Sequence, residues 1–162
     1  MSCIFCKIAC YDAPANIIYE DDHCLAFLSI QPITPGHVLV IPKVHANRFG
    51  EIPSEVCVQM MQAGQHIARA LCNSELQFKE RRCEGVNLFL CDGPIAGQTI
   101  AHAHLHVLAR FVGDGFGFNL THDHVAVAQP SVLVERAEHL RALLRLLPQG
   151  SLKALTPRGS NS

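Results

Sequence analysis

His102, His104 and His106 alternate with Ala103, Leu105 and Val107 in one short run. An extended strand sends successive side chains to opposite faces. The spacing therefore predicts three imidazoles on one face and three apolar side chains on the other. Same-face neighbours on a strand lie about 6–7 Å apart, close enough for two rings to reach one phosphate or for two or three to share a metal. Imidazole titrates near neutral pH, so such a row can supply a nucleophile, an acid or a base. An inert polar face is one competing reading, and a three-histidine zinc or iron centre is another. The loop just upstream, Asp92-Gly93-Pro94-Ile95-Ala96-Gly97-Gln98, contains two glycines and favours a functional site.

Eight cysteines are scattered along the chain, at positions 3, 6, 10, 24, 57, 72, 83 and 91. Their spacing and the chain length suggest reduced thiols rather than a disulfide framework. Cys57 and Cys72 read as small core residues on a helix. Cys3-x-x-Cys6 has zinc-ligand spacing but supplies only half a site. His122-Asp123-His124 is a weaker metal candidate. His23 and His66 read as turn and helix-surface residues, His37 as a structural hydrogen-bonder, and His139 as part of a helical charge pattern.

The elements around these residues follow from periodicity. Residues 3–10 suit one or two helical turns. Ile17–Glu20 and Cys24–Leu28, joined by Asp21-Asp22-His23, read as a hairpin. His37–Ile41 is a strand closed by Pro42. Ser54 is the expected N-cap of a helix whose stripe is Val56, Met60, Ala63, Ile67, Ala70 and Leu71, ended by Asn73 or the charged run 79–82. Val86–Leu90 and roughly 100–110 are strands. Ser131 opens a last amphipathic helix. Strands, a long helix, strands and a helix argue for an α+β fold on an antiparallel sheet. Residues 1–147 are expected to form one domain, with a core at about 3–118 and a C-terminal helix at about 131–147. Residues 148–162 read as a loose, flexible tail.

Composition narrows the partners. With 49% hydrophobic and 17% charged residues the chain reads as an ordinary compact protein. A net charge of −1 with scattered basic residues argues against a nucleic-acid surface. No apolar run approaches the ~20 residues of a membrane span, and the first residues lack a signal-peptide shape. An intracellular, cytoplasmic protein is expected, with the nucleus also open to it.

His102-Ala103-His104-Leu105-His106-Val107-Leu108 matches the signature His-φ-His-φ-His-φ-φ, with φ apolar, and so resembles the histidine-triad (HIT) family. The N-terminal half agrees independently. Cys3-Ile4-Phe5-Cys6-Lys7-Ile8, Tyr19-Glu20-Asp21-Asp22, Leu25-Ala26-Phe27 and Pro35-Gly36-His37-Val38-Leu39-Val40-Ile41-Pro42-Lys43 are similar to the Hint and bacterial Hit branches. The phosphate loop 93–99 looks more like the Fhit branch. The resemblance covers about residues 3–118. It implies a five-stranded antiparallel sheet with helices against one face, paired as a homodimer. It also implies a purine nucleotide site that cleaves at the α-phosphate.

Carried over residue by residue, the resemblance makes His104 the nucleophile and His106 a donor and proton source at the phosphate or leaving group. Backbone amides from Gly97 to Thr99, the Gln98 side chain and the Thr99 hydroxyl would cradle phosphate oxygens. Structural zinc would sit on Cys3, Cys6, His45 and His102, and no organic cofactor is implied. Two positions depart from the family. Ser29 stands where an aspartate or asparagine holds the ribose, and Cys91 stands where an asparagine or glutamine lies near the phosphates. Histidine rather than glutamine at 106 favours hydrolysis over nucleotidyl transfer. The leading expectation is a hydrolase of adenosine phosphoramidate or a similar purine nucleotide. Alternatives are a dinucleoside polyphosphate hydrolase and, from another class, a low-activity nucleotide- or zinc-binding interaction protein.

Overall fold

The Asp21 carboxylate accepts the backbone N–H groups of His23 and Cys24, at 2.8 and 2.7 Å, and so turns the first hairpin. Strands β1 (Ile17–Glu20) and β2 (Cys24–Leu28) flank that turn. The computed structural model describes residues 3–75, 77–117 and 128–146. The chain divides into two compact units, residues 1–116 and 117–162, each taken by itself.

In the first unit, helix α1 (Ile4–Ala9) precedes the hairpin, and β3 (Val38–Pro42), helix α2 (Ser54–Asn73), β4 (Gln77–Phe78), β5 (Arg81–Arg82), β6 (Gly85–Leu90) and β7 (Leu105–Arg110) follow it. Five strands make one antiparallel sheet in the order β1-β2-β3-β7-β6. The small β4–β5 hairpin was not expected. It turns at Lys79 and Glu80, both in the left-handed region at φ 49° and 63°, without a glycine or asparagine to mark it. Helix α2 begins one residue earlier than the cap assignment implied: Pro53 is the N-cap and Ser54 the first helical residue, with no side-chain cap.

Period-two alternation divides the sheet into two faces. Cys24, Ala26, Val38, Val40, Leu105 and Val107 pack with Val56, Met60, Ala63 and Ile67 of α2. Leu25, Phe27, Leu39 and Ile41 pack with Phe5 and Ile8 of α1. Helices therefore cover both faces rather than one, and α1 lies on the histidine side. Among the α2 cysteines, Cys57 is half-buried, whereas Cys72 is exposed with its Sγ 3.9 Å from that of Cys83.

The histidine strand is shorter than expected. It starts at Leu105, so His102 and His104 precede it. The reason lies in β3. Pro42 has no N–H to extend the ladder, and its carbonyl accepts the His102 Nε2–H at 2.9 Å. The Ala103 N–H turns instead to the Ala46 carbonyl, at 2.7 Å. The alternation survives: Ala103, Leu105 and Val107 face α2, while His104 and His106 lie ring to ring on the other side, centroids 4.7 Å apart.

The second unit contains α3 (Pro130–Leu146), with proline at its first position, where the missing N–H goes unnoticed. His122, His124 and residues 148–162 lie outside the described residues. No helix among the described residues is long and apolar enough to cross a membrane.

Candidate active site and metal centre

His104 is buried, at 3% exposure, with its ring 5.3 Å from Phe5 of α1 and nearly perpendicular to it. Its Nδ1 lies 2.8 Å from the His102 carbonyl. A carbonyl only accepts, so Nδ1 carries the proton and Nε2 keeps its lone pair. Burial lowers the pKa of this ring below the usual imidazole value, the bond to the carbonyl partly opposing it. The ring is therefore neutral near pH 7, with a nucleophilic nitrogen.

The neighbouring tautomers follow in sequence. The Ile33 N–H donates to Nδ1 of His37, at 3.3 Å. Neutral His37 must then carry its proton on Nε2, which lies 2.9 Å from His106 Nδ1. His106 accepts there, so its own proton sits on Nε2, available as a donor. Burial, with the nearby His104 and His37, pushes His106 down to about 3; burial and His104 push His37 down to about 4. Both rings are uncharged at neutral pH. His37, read from sequence as merely structural, is thus part of the site. Its signal was present in the run Gly36-His37-Val38 but pointed only to a hydrogen bond.

The loop 91–98 is shaped by its glycines and by Gln98. Gly93 and Gly97 have φ of 100° and 90°, a region L side chains avoid. The Gln98 side chain accepts the Gly93 N–H at 2.7 Å and donates to the Asn47 carbonyl at 2.8 Å. Its amide thus bonds backbone at both atoms and sets the loop's shape. Thr99 is exposed, and Cys91 is half-buried beside Gly97. Ser29, at the end of β2, receives the Gln31 N–H on its Oγ at 3.2 Å and binds the His37 carbonyl through its backbone N–H at 2.9 Å.

Cys3, Cys6, His45 and His102 converge, with their ligand atoms all within 4.8 Å of one another. A tetrahedral cation with metal–sulfur bonds of about 2.3 Å and metal–nitrogen bonds of about 2.05 Å has S–N edges of about 3.5 Å and an N–N edge of about 3.3 Å. Three of the four S–N separations are 3.5 Å (Cys3–His102), 3.6 Å (Cys6–His102) and 3.1 Å (Cys6–His45), and the N–N separation is 3.3 Å. The outer nitrogens are occupied: His102 Nε2–H donates to the Pro42 carbonyl, and His45 Nε2 lies 3.1 Å from Asn47 Oδ1. Both rings therefore turn an unprotonated Nδ1 inward, which a cation would satisfy. A cavity of about 600 Å³ opens alongside, lined by Cys3, Cys6, His45, Asn47 and Thr99 among others.

Residues 11–113 match the family model described as the HIT domain. The chain belongs to the histidine-triad family. It is 43% identical over 117 residues to the protein named Hit of Bacillus subtilis (strain 168), covering 72% of this chain and 77% of that one. It is 36% identical over 110 residues to an adenosine 5′-monophosphoramidase of Schizosaccharomyces pombe, covering 68% and 75%. Among solved structures it superposes on a zinc-bound histidine triad family protein from Mycobacterium smegmatis with a TM-score of 0.66 and 44% identity, covering 76% of this chain and 86% of that one. The α+β fold and five-stranded antiparallel sheet expected of a histidine-triad protein are those observed.

Proposed function

We propose that this histidine-triad protein hydrolyses a purine nucleotide at its α-phosphate, with adenosine phosphoramidate or a similar compound as substrate, through a covalent nucleotidyl-His104. The observation that carries this reading is the His104–His102 carbonyl bond, which leaves Nε2 unprotonated in a buried, neutral ring. Similarity to a phosphoramidase supports the substrate class.

In the first step, the Nε2 lone pair of His104 forms a bond to phosphorus, and the bond from phosphorus to the departing nitrogen or oxygen breaks with its electron pair. His106 donates an Nε2–H hydrogen bond to that atom. The proton that neutralises it comes from solvent, because a neutral imidazole is a weak acid. In the second step, water bonds to phosphorus, the P–N bond returns its pair to Nε2, and one proton is released. Amides at 97–99, Thr99, Ser29 and Cys91 line the substrate's path in this reading.

Zinc fits the Cys3, Cys6, His45 and His102 cluster by donor type and spacing. Held there, it would tie α1 to the sheet and leave no open position for chemistry. The same reading gives a homodimer. β6 is an edge strand, and its Leu88 and the α2 residues Val58 and Met61 are exposed, at 38%, 55% and 54%.

The test offers adenosine phosphoramidate and diadenosine polyphosphates to wild type and His104→Ala. Wild type is expected to prefer the phosphoramidate, and the variant to bind nucleotide with turnover reduced by roughly a thousandfold or more. A variant rate above about a tenth of wild type overturns the covalent role. Faster cleavage of the dinucleotide moves the substrate assignment.

A further inference from the structure

The β6–β7 register sets Phe89 opposite His106, and their rings stack 4.5 Å apart, 9° from parallel. At its Nδ1 edge His106 meets His37 nearly in plane, with nitrogens 2.9 Å and centroids 5.1 Å apart and 26° between the rings. Beyond Phe89 lies Phe116, at 6.2 Å and 22°. The Arg110 guanidinium closes the row, 4.9 Å from the Phe116 centroid. Three rings and one guanidinium thus stand in line, with His37 bonded to the edge of the His106 ring.

The far end of the row is held firmly. Arg110 pairs with both Asp114 oxygens, at 2.7 and 2.9 Å, and also donates to Asn87 and, at 2.5 Å, to the Phe116 carbonyl. Asp114, its side chain only 4% exposed, accepts the N–H groups of Phe111 and Phe116, each at 3.0 Å. The loop 111–116 is therefore fastened to β7, and the residue it delivers is Phe116.

We propose that Phe89 and Phe116, seated by the Arg110–Asp114 clamp, are positioning residues for His106. Phe89 covers one face of the ring. Its Nδ1 edge is taken by His37, so Nε2–H is the one group His106 can turn toward a departing atom. A ring flip that exchanged the two nitrogens would have to break the contact with Phe89 and the bond to His37 together. Phe89 adds apolar cover and no counter-charge. The titratable groups acting on His106 are His37 and His104, both cationic if charged at all; Arg110 and Asp114, two rings away, offset each other. All of this favours one neutral tautomer. The catalytic consequence rests on the hydrolase reading above, whereas the ring's tautomer does not.

The test uses Phe89→Leu and Phe116→Leu, which keep apolar volume, and Phe89→Tyr, which keeps a stacking ring. Long-range proton–nitrogen spectra report the tautomer and titration midpoint of His106. Wild type and Phe89→Tyr are expected to show one Nε2–H tautomer with no protonation above pH 5. Phe89→Leu should mix the tautomers and raise the midpoint by about one unit or more, with Phe116→Leu intermediate. With nucleotide substrate, Phe89→Leu should lower kcat by roughly tenfold or more with KM within about threefold, the loss growing with leaving-group basicity. An unchanged tautomer and midpoint in folded Phe89→Leu, or in Phe116→Leu should the former not fold, overturns the proposal. Altered spectra in a protein that turns over no nucleotide would leave the stack standing and remove the hydrolase reading.

Discussion

Acid should unfold this protein in part through His106, and the size of the effect can be worked out. Unfolded, this imidazole takes a proton near pH 6.5; folded, it is held neutral down to about 3. The folded value lies below the unfolded one, so the associated stability is complete above pH 6.5 and drains away as pH falls toward 3. At pH 4.5 full linkage would amount to about 2.7 kcal/mol. The ring is half-buried and its edge meets solvent, which reduces the expectation to about 1.5 kcal/mol. Glutamine at this position keeps a donor and an acceptor but does not titrate. Urea unfolding of wild type and His106→Gln, at pH 7.5 and 4.5 with chelator present throughout, isolates the ring. Wild type should lose about 1.5 kcal/mol more than the variant on acidification. Losses equal within about 0.5 kcal/mol would refute the neutral, stacked His106.

Purified wild type should carry about one zinc per chain, and Cys3→Ser/Cys6→Ser almost none while keeping partial activity; metal analysis and melting temperature check this, and full zinc retention in the double variant would place the metal elsewhere. Light scattering at micromolar concentration should give the mass of two chains for wild type and of one for Met61→Asp, and a wild-type monomer would sink the edge-strand assembly. Gln98→Ala removes partners from the Gly93 N–H and the Asn47 carbonyl, so it should cost about 1–2 kcal/mol in thermal or urea unfolding and raise KM; unchanged stability and KM would show that the loop holds itself.

Much of the fold could be read from periodicity because burial imposes it. The alternation in 102–107 and the stripe Val56, Met60, Ala63 and Ile67 reappear as the two sides of one packed layer. The early end of the β7 ladder could not be read, because it depends on Pro42 and on a side chain reaching its carbonyl across the sheet. Cys3, Cys6, His45 and His102 are brought together as the family resemblance implied, yet spacing alone gave only Cys3-x-x-Cys6. The β4–β5 turn was hidden because Lys79 and Glu80 are not the residues that usually accept positive φ. Phe89 and Phe116 were invisible for another reason: their importance lies in register and loop closure, which no local pattern encodes.

The most direct measurement is on the covalent intermediate. Protein mixed with an adenosine phosphoramidate labelled at the α-phosphate, quenched in alkali within a single turnover and digested, should carry label on the peptide containing His104. The linkage should be acid-labile and alkali-stable, as expected of phosphorus bonded to an imidazole nitrogen, and absent from His104→Ala. Turnover without a labelled peptide on any sampled timescale, or label on another residue that survives His104→Ala, would contradict nucleophilic catalysis by His104.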